Sequence, residues 1–309
     1  MHPLILASLF ASSSVALAMC AAGIGVLLIG LVASREEFAA ARGPDKIVAL
    51  ANVCYATPLA VFGALHFFGP QFVQAMVPKY MPGRMFWVYL VGCALVAASL
   101  SIAARVAVRW SGLLVGIMMF LFVAMIYVAR GVLFNPHNRI LWTIVFRESS
   151  FGGAAWVLAG NAMDGRRGRS KGTLIRVGRT LVALAAIFFG IEHFLHPLGL
   201  PGVPLEREMP AWVPGRMVID GVTGAALLIA GGCMLLNRKA RMAATGLGGW
   251  ILLTVLLIYA PVLIGALSSA DTAAQVEGVN YFADTLLFAG GILAVASASP
   301  RSGENRSVP

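Results

Sequence analysis

The sequence predicts an all-α protein that crosses a membrane about nine times. Of its 309 residues, 59% are hydrophobic and only 12% are charged, whereas a soluble domain carries about 25% charged residues. Runs of about 18 or more apolar residues, long enough to cross a hydrocarbon layer of about 30 Å as a helix, recur along the whole chain. Two distant stretches also share an unusual pattern, which indicates an internal duplication.

We place the first span near the N-terminus, at about residues 10–34. Ala16-Leu17-Ala18 resembles a signal-peptide cleavage site, but no charged region precedes the apolar run and the run continues to Ser34. We therefore expect a retained helix rather than a cleaved leader. The remaining eight segments are approximately 47–66, 85–104, 110–130, 141–163, 179–195, 216–236, 242–264 and 281–299.

The duplicated pattern joins the end of one predicted helix to the start of the next. Residues 62–70 (FGALHFFGP) resemble 189–197 (FGIEHFLHP), and residues 78–84 (PKYMPGR) resemble 210–216 (PAWVPGR). Each copy therefore predicts a helix that ends near a histidine, a proline-rich loop, and a helix that opens at Pro-Gly-Arg. Proline suits that place because it does not continue a helix and is tolerated in a first turn.

Each copy contains four spans, so both begin on the same side and the repeats run parallel. This divides the chain into two four-helix bundles joined by a basic linker. Matching small residues, which allow close helix packing, are Gly92 with Gly224, Gly112 with Gly246, and residues 151–153 with 288–290. The predicted parts are an N-terminal helix and linker (1–46), a first module (47–165), the linker (166–178), a second module (179–300) and a tail (301–309).

The basic residues predict the orientation. With nine spans, 16 of the 23 Lys and Arg fall in alternate loops and the tail, and basic loops stay cytoplasmic. We therefore expect a bacterial cytoplasmic (inner) membrane protein with its N-terminus outside and its C-terminus inside. The net charge of +10 then reflects topology and contact with the lipid bilayer, and no nucleic-acid partner is expected.

The motif Gly-x-x-His-Phe-x-x-Pro, followed by Pro-x-x-x-Pro-Gly-Arg at the next helix, resembles the DoxX-like family of four-helix membrane proteins. The module is present twice here, over about residues 47–299. That group includes the small subunit of an archaeal thiosulfate:quinone oxidoreductase and mycobacterial DoxX, which is linked with a membrane oxidoreductase complex. The resemblance implies the fold more strongly than a reaction.

Ionisable residues within spans are costly and are therefore functional candidates. The two halves carry different sets, and their charges either pair across a shared interface or line a separate pocket in each half. We favour separate pockets, because each module should be able to close alone. The catalytic candidates are His66, Glu148, Glu192, His193, Asp220 and Asp284, and the candidate ligand-binding residues are Tyr80, Arg84, Arg130, Arg147, Trp212 and Arg216.

The histidines have more than one interpretation. His66 and His193 could anchor helix ends or loop carbonyls, or they could contact a quinone and exchange its protons, since histidine titrates near neutral pH. His193 and His196 lie on neighbouring faces, but proline follows at once and the first half has no equivalent of His196, so we predict no metal site. Asp220 follows Arg216 by four residues, so the two could form an ion pair.

The resemblance suggests a quinone-linked membrane oxidoreductase subunit with a ligand pocket near the outer face. Such a chain would need a membrane or periplasmic redox partner, and whether it is an enzyme itself is left open. One alternative is a non-catalytic ligand-binding or assembly protein, and another is a small-solute transporter. Quinone is the possible cofactor.

Overall fold

The computed structural model describes residues 13–163 and 168–300, with the exception of the Arg130 side chain. Within these ranges the chain is helical and contains no strand. Two helices continue as π-helical segments, here π1 and π2. The helices are α1 (Ser14–Ala40), α2 (Asp45–Ala49), α3 (Ala51–Phe68), α4 (Pro70–Gln74), α5 (Arg84–Ala103), α6 (Val108–Phe122), π1 (Val123–Val132), α7 (Arg139–Asn161), α8 (Gly168–Leu195), α9 (Arg216–Leu235), α10 (Ala240–Thr254), π2 (Val255–Tyr259), α11 (Ala260–Leu267) and α12 (Thr272–Ala298).

Within residues 13–163 and 168–300, eight helices are long and apolar enough to cross a membrane, so the chain is a multi-pass integral membrane protein. They are α1, α3, α5, α6 with π1, α8, α9, α10 with π2 and α11, and α12. Large apolar side chains such as Leu28, Leu114 and Ile229 are exposed, at 57%, 62% and 68%, as expected of surfaces that face lipid. The remaining predicted span, at about residues 141–163, corresponds to α7. This helix carries Arg139, Arg147 and Glu148 and is not one of the eight.

Two predicted boundaries differ from the structure. Helix α8 begins at Gly168, so most of the predicted basic linker 166–178 is its first turns; Arg, Lys and Leu are good helix formers, and a charged helical end can extend into water. Helix α12 begins at Thr272 rather than near residue 281, with Asp271 as its N-cap. Residues 1–12, 164–167 and 301–309 lie outside the described residues. They include the start of the first predicted span, the first two residues of the predicted linker 166–178 and the whole predicted tail.

The long helices from α3 to α12 form a ring in chain order, which the contact between α12 and α3 closes. Helix α12 also packs across the ring on α7. Helices α3 and α12 are the most deeply buried spans and pack against each other, while α7 packs against α6, α8 and α12. We call the end of the bundle that carries the 69–83 and 196–215 loops the loop end. The end helices of the two predicted halves pack across the boundary between them, α7 on α8 and α3 on α12, and within the described residues neither half closes into a bundle by itself.

Glycines make these contacts between the halves possible. A Cβ at Gly153 would lie 2.8 Å from the Gly178 carbonyl oxygen, where α7 crosses α8. A Cβ at Gly290 would lie 2.5 Å from the Tyr55 nitrogen, where α12 crosses α3. Both separations are shorter than side chains tolerate, so the backbones approach as closely as small residues allow.

Unusual backbone geometry recurs at positions 132 residues apart. Gly83 and Gly215, which precede α5 and α9, have φ of 61° and 63°. Ala107 and Lys239, which precede α6 and α10, have φ of 54° and 53°, a strained region for residues other than glycine.

The same spacing corrects one predicted match. It pairs Gly116 with Gly248, which pack against Trp156 and Leu293 on α7 and α12, whereas Gly246, predicted to match Gly112, has no atom near the place of a Cβ.

Candidate functional site

A buried histidine–aspartate pair lies where α8 meets α9, near the loop end. His193 Nδ1 is 2.7 Å from Asp220 Oδ1, and both side chains are almost fully buried. The backbone N–H of Gly202 donates to His193 Nε2 at 3.2 Å. Since Nε2 accepts, Nδ1 carries the proton and donates to the Asp220 carboxylate, which fixes the neutral tautomer of the ring.

His66, the matching histidine of the first half, has a different partner. Its Nδ1 donates to the Phe62 carbonyl one turn earlier in α3, at 2.7 Å. Val88 stands where the second half has Asp220, so the first half offers no carboxylate there. Both rings nevertheless pack in the same way, because a Cβ on Gly92 or Gly224 would lie about 3 Å from the Cβ of His66 or His193. The histidines are therefore alike in position and unlike in chemistry.

Three charged side chains meet at the centre of the bundle. Arg147 on α7 donates to Asp284 on α12 at 2.7 Å and to Glu148 at 2.8 Å. The side chains are 11–13% exposed. Tyr127 of π1 is buried and lies close enough to interact electrostatically with all three side chains. This group, the Arg147 cluster, holds two carboxylates against one guanidinium and joins the two halves of the chain.

Of the two arrangements that the sequence left open, this cluster corresponds to the shared interface. The preference for a separate pocket in each half is wrong for these charges, because α7 and α12 pack on each other. A second bridge has the same character: Arg139 at the start of α7 donates to Glu192 on α8 at 3.3 Å. His196 Nε2 lies 3.9 Å from the same Glu192 carboxylate.

The two arginines of the Pro-Gly-Arg motifs hold loop backbone. Arg84 donates to the Val77 carbonyl at 3.1 Å and also to that of Gln74. Arg216 donates to the Met209 carbonyl at 3.1 Å, which is again seven residues earlier. The predicted Arg216–Asp220 pair is therefore not formed in the described structure, because the guanidinium turns toward the loop and Asp220 accepts from His193.

The 196–215 loop folds back on itself and is held by four side chains from four different helical segments. Its backbone pairs through Leu200 N–H to Arg207 O and Met209 N–H to Leu198 O, and residues 200–204 are buried. The side chains that hold its backbone are His193 at Gly202, Tyr259 at Pro201, Arg139 at Pro204 and Arg216 at Met209. The 69–83 loop is held differently, by Arg84 and Trp87 from the single helix α5.

An open cavity of about 590 Å³ lies between this loop and the helices α11 and α12. Its wall combines apolar residues with Glu206, Arg207, Trp212, Glu277 and Tyr281. The Arg207 guanidinium lies over the Tyr281 ring, 5.9 Å from its centroid. The volume falls within the range of about 300–1,000 Å³ that is usual for small-molecule sites.

One face of α12 connects the cavity with the Arg147 cluster. Glu277 and Tyr281 line the cavity, and Asp284 belongs to the cluster. These residues are spaced i, i+4 and i+7 and so lie on one helical face, about 10 Å from first to last along the axis. Glu277 is exposed, whereas Tyr281 and Asp284 are buried, so the face runs from the surface into the interior.

The structure brings most of the predicted site residues together in these groups. Glu148, Arg147 and Asp284 share one cluster, and His193, Glu192 and Asp220 lie along the junction of α7, α8 and α9. His66 and Arg84 are apart from both groups in the first half. Tyr80 and Trp212 are exposed, at 63% and 56%, and Trp212 lines the cavity. The Arg130 side chain lies outside the described residues. Among those described, no three His, Cys, Asp or Glu side chains gather as metal ligands.

Several contributing residues were not among the predicted site residues. Arg139 stands at the first position of α7, where a sequence reading assigns it to a short connection. Tyr259 and Tyr281 look like ordinary apolar-face aromatics, and Gly202 like a loop glycine. A signal existed for Arg139 alone, because a lone basic residue begins a span on the side that is otherwise poor in Lys and Arg.

Comparison with known proteins gives a partial match. A family model described as a domain of unknown function, DUF8561, matches residues 55–144, which are 90 of the 309 residues and include the first Pro-Gly-Arg motif. No DoxX-like family model matches the chain. None of the curated proteins and none of the solved structures compared with it matches.

Proposed function

We propose that the chain is a DoxX-like protein built from two copies of one four-helix unit. The recurrence of left-handed residues 132 positions apart supports a duplication, as do the matched π1 and π2 segments. The equivalent packing of His66 on Gly92 and of His193 on Gly224 supports it as well. In this proposal the unit consists of α3, α5, α6 and α7, and its copy consists of α8, α9, α10 and α12.

We propose nine spans, with α7 as the ninth. Helix α7 packs along α6 and α8, both long enough to cross a membrane, and its charges pair within the bundle. With nine spans the basic connections lie on one side, which the positive-inside rule assigns to the cytoplasm. The loop end then faces outward from a bacterial cytoplasmic membrane, with the N-terminus outside and the C-terminus inside.

For function, we propose a quinone-linked membrane subunit whose ligand occupies the cavity at the loop end. The observation that carries this proposal is the α12 face that leads from Glu277 and Tyr281 in the cavity to Asp284 in the Arg147 cluster. A hydroquinone head has two hydroxyl donors, and carboxylates are acceptors when ionised. Trp212 and the apolar wall would contact the ring, and a redox partner would exchange the electrons.

The Arg147 cluster supplies the reason to expect proton exchange. An uncompensated charge within a membrane is costly, and two carboxylates share one guanidinium here. The cluster is therefore closest to neutral when one of the two carboxyl groups carries a proton. In the proposed reaction this shared proton site receives or returns protons as the quinone changes between its two redox states.

Binding of a short-chain ubiquinone to the purified protein tests this proposal. A ligand that binds only the folded state at 100 times its Kd stabilises that state by about 2.7 kcal/mol, so we expect a clear rise in Tm. Glu277→Gln should reduce the rise, and Glu208→Gln should leave it intact, because Glu208 is exposed on the same loop but does not line the cavity. If quinone neither raises Tm nor co-purifies, the quinone proposal should be abandoned.

A non-catalytic ligand-binding or assembly protein is the second candidate. It is favoured by the histidines, since both rings are already hydrogen-bonded to backbone groups of the protein and so act as anchors. A lipid that raises Tm through the same cavity, together with no effect of quinone, would select this second function.

A further inference from the structure

We infer that His193 positions the wall of the cavity and does so only while its Nε2 is unprotonated. Residues 200–204 are buried, and the residues that follow them in the 196–215 loop line the cavity, namely Glu206, Arg207, Pro210 and Trp212. The inference rests on the proposed ligand site, because the wall that His193 holds is the wall of that site.

The hydrogen bonds of the ring lead to this conclusion. The imidazole has two nitrogens, and the neutral ring donates through one and accepts through the other. His193 donates to Asp220 and accepts from the Gly202 N–H. A proton added at Nε2 would place two N–H donors 3.2 Å apart. Proton uptake and the hydrogen bond to the loop therefore exclude each other.

Proton uptake at Nε2 would break the hydrogen bond from the Gly202 N–H. Gly202 has a φ of +112°, which belongs to a region that residues with a side chain rarely adopt. Next to it, the Tyr259 hydroxyl donates to the Pro201 carbonyl at 3.0 Å. The Pro201–Gly202 peptide is thus held on both sides, and loss of the His193 bond releases one side. Arg139 and Arg216 still hold the loop at Pro204 and Met209, so we expect the loop to loosen, together with the wall residues that follow Gly202, without leaving its place.

Proton uptake by the ring would change the charge of the buried pair. A neutral His193 beside an ionised Asp220 leaves one buried negative charge, and a proton on the pair removes it. Of the ionisable groups on the segments around the ring, Asp220 alone is hydrogen-bonded to it in the described structure. These groups are Glu192 and His196 on α8, Arg216 and Asp220 on α9, Arg139, Arg147 and Glu148 on α7, Tyr259 on π2, Tyr281 and Asp284 on α12, and Glu206 and Arg207 in the loop.

Hydrogen exchange of the full-length protein, measured from pH 5 to pH 8 and corrected for the intrinsic effect of pH, tests the inference. We expect peptides that cover residues 199–205 to exchange about tenfold faster, relative to the intrinsic rate, at low pH than at high pH. His193→Gln, which has no titrating ring, should abolish this pH dependence. The matched variant His66→Gln should leave it intact, because His66 bonds to its own helix.

Asp220→Asn provides a second variant in case His193→Gln does not fold. The amide oxygen can still accept from Nδ1, but the negative charge beside the ring is gone, so the transition in exchange should move to lower pH. The inference is overturned if the wild-type loop shows no corrected pH dependence, if His193→Gln retains it, or if Asp220→Asn leaves the transition in place.

Ligand binding separates this inference from the proposed function. If the loop responds to pH through His193 but short-chain ubiquinone does not bind at any pH, the proposed function fails and the loop control stands. If ubiquinone binds with the same affinity above and below the transition, in wild type and in His193→Gln, the loop control of the site fails and the proposed function stands.

Discussion

At the scale of single residues, the chemistry of this protein lies in pairs of buried polar groups rather than in lone side chains. His193 has both ring nitrogens occupied, by Asp220 and by Gly202. Arg147 pairs with carboxylates from two helices. A buried ionisable group is tolerated in an apolar interior when a partner compensates it, so removal of one partner should be more harmful than removal of both.

The Arg147–Asp284 pair allows a charge-swap prediction. Arg147→Ala should lower the free energy of unfolding by about 3–5 kcal/mol, because it leaves two buried carboxylates uncompensated, whereas Asp284→Ala should cost less, because Arg147 still pairs with Glu148. The double variant Arg147→Asp with Asp284→Arg should recover most of that loss. Thermal unfolding of the purified variants measures both effects. A swapped protein that is no more stable than Arg147→Ala would show that the ion pair does not act as a unit.

At the scale of the helix, glycine contacts decide how the spans approach each other. Gly290 faces the α3 backbone, whereas Gly246 on α10 faces outward and has no atom within 4 Å of the place that a methyl group would take. The two glycines therefore differ in packing although both stand inside long helices. This difference separates close packing from the general cost of glycine in a helix.

Gly290→Ala should destabilise the protein by about 1–3 kcal/mol, because the new methyl group would meet the Tyr55 nitrogen and main-chain atoms cannot move away easily. Gly246→Ala should be neutral or stabilising by up to about 1 kcal/mol, since alanine is the better helix former. Chemical denaturation or Tm of the two variants is the measurement. Equal effects at both positions would refute the close α3–α12 contact.

The elements were largely predictable from the sequence, and the contacts between them were not. Apolar runs indicated the long helices, including α5 and α9, whose starts were predicted within one residue of Arg84 and Arg216. The helical stretch 168–178 was missed because it is polar, and hydropathy detects membrane spans rather than helices in general. Asp220 was paired with Arg216 because local spacing was the only geometric guide, whereas its partner His193 lies on another helix.

At the scale of the whole molecule, the two halves are interlocked. The first helix of each half packs on the last helix of the other, α8 on α7 and α3 on α12. The Arg147 cluster and the Arg139–Glu192 bridge cross the same boundary. The expectation that each half closes alone was wrong, because sequence similarity between the halves does not show which helices pack against each other. A pair of units that exchange their packing partners has the same repeat in sequence as a pair that does not.

Interlocking predicts the behaviour of a split protein. Residues 1–165 and 166–309, expressed together as separate chains, should assemble and purify as one complex, because each supplies the packing surface of the other. Either chain expressed alone should be degraded or aggregate, since its first and last helices lack their partners. Recovery of one half alone as a monodisperse protein that unfolds cooperatively would contradict the interlocked arrangement.

The connection between the cavity and the buried carboxylates is most directly tested by infrared difference spectroscopy of the purified protein with and without short-chain ubiquinone. We expect a carboxylic acid C=O band that changes on ligand addition, is lost in Asp284→Asn or Glu148→Gln, and persists in Glu208→Gln. A difference spectrum with no carboxylic acid band, or one that is unchanged by substitution of both Asp284 and Glu148, would contradict the connection between ligand site and proton site.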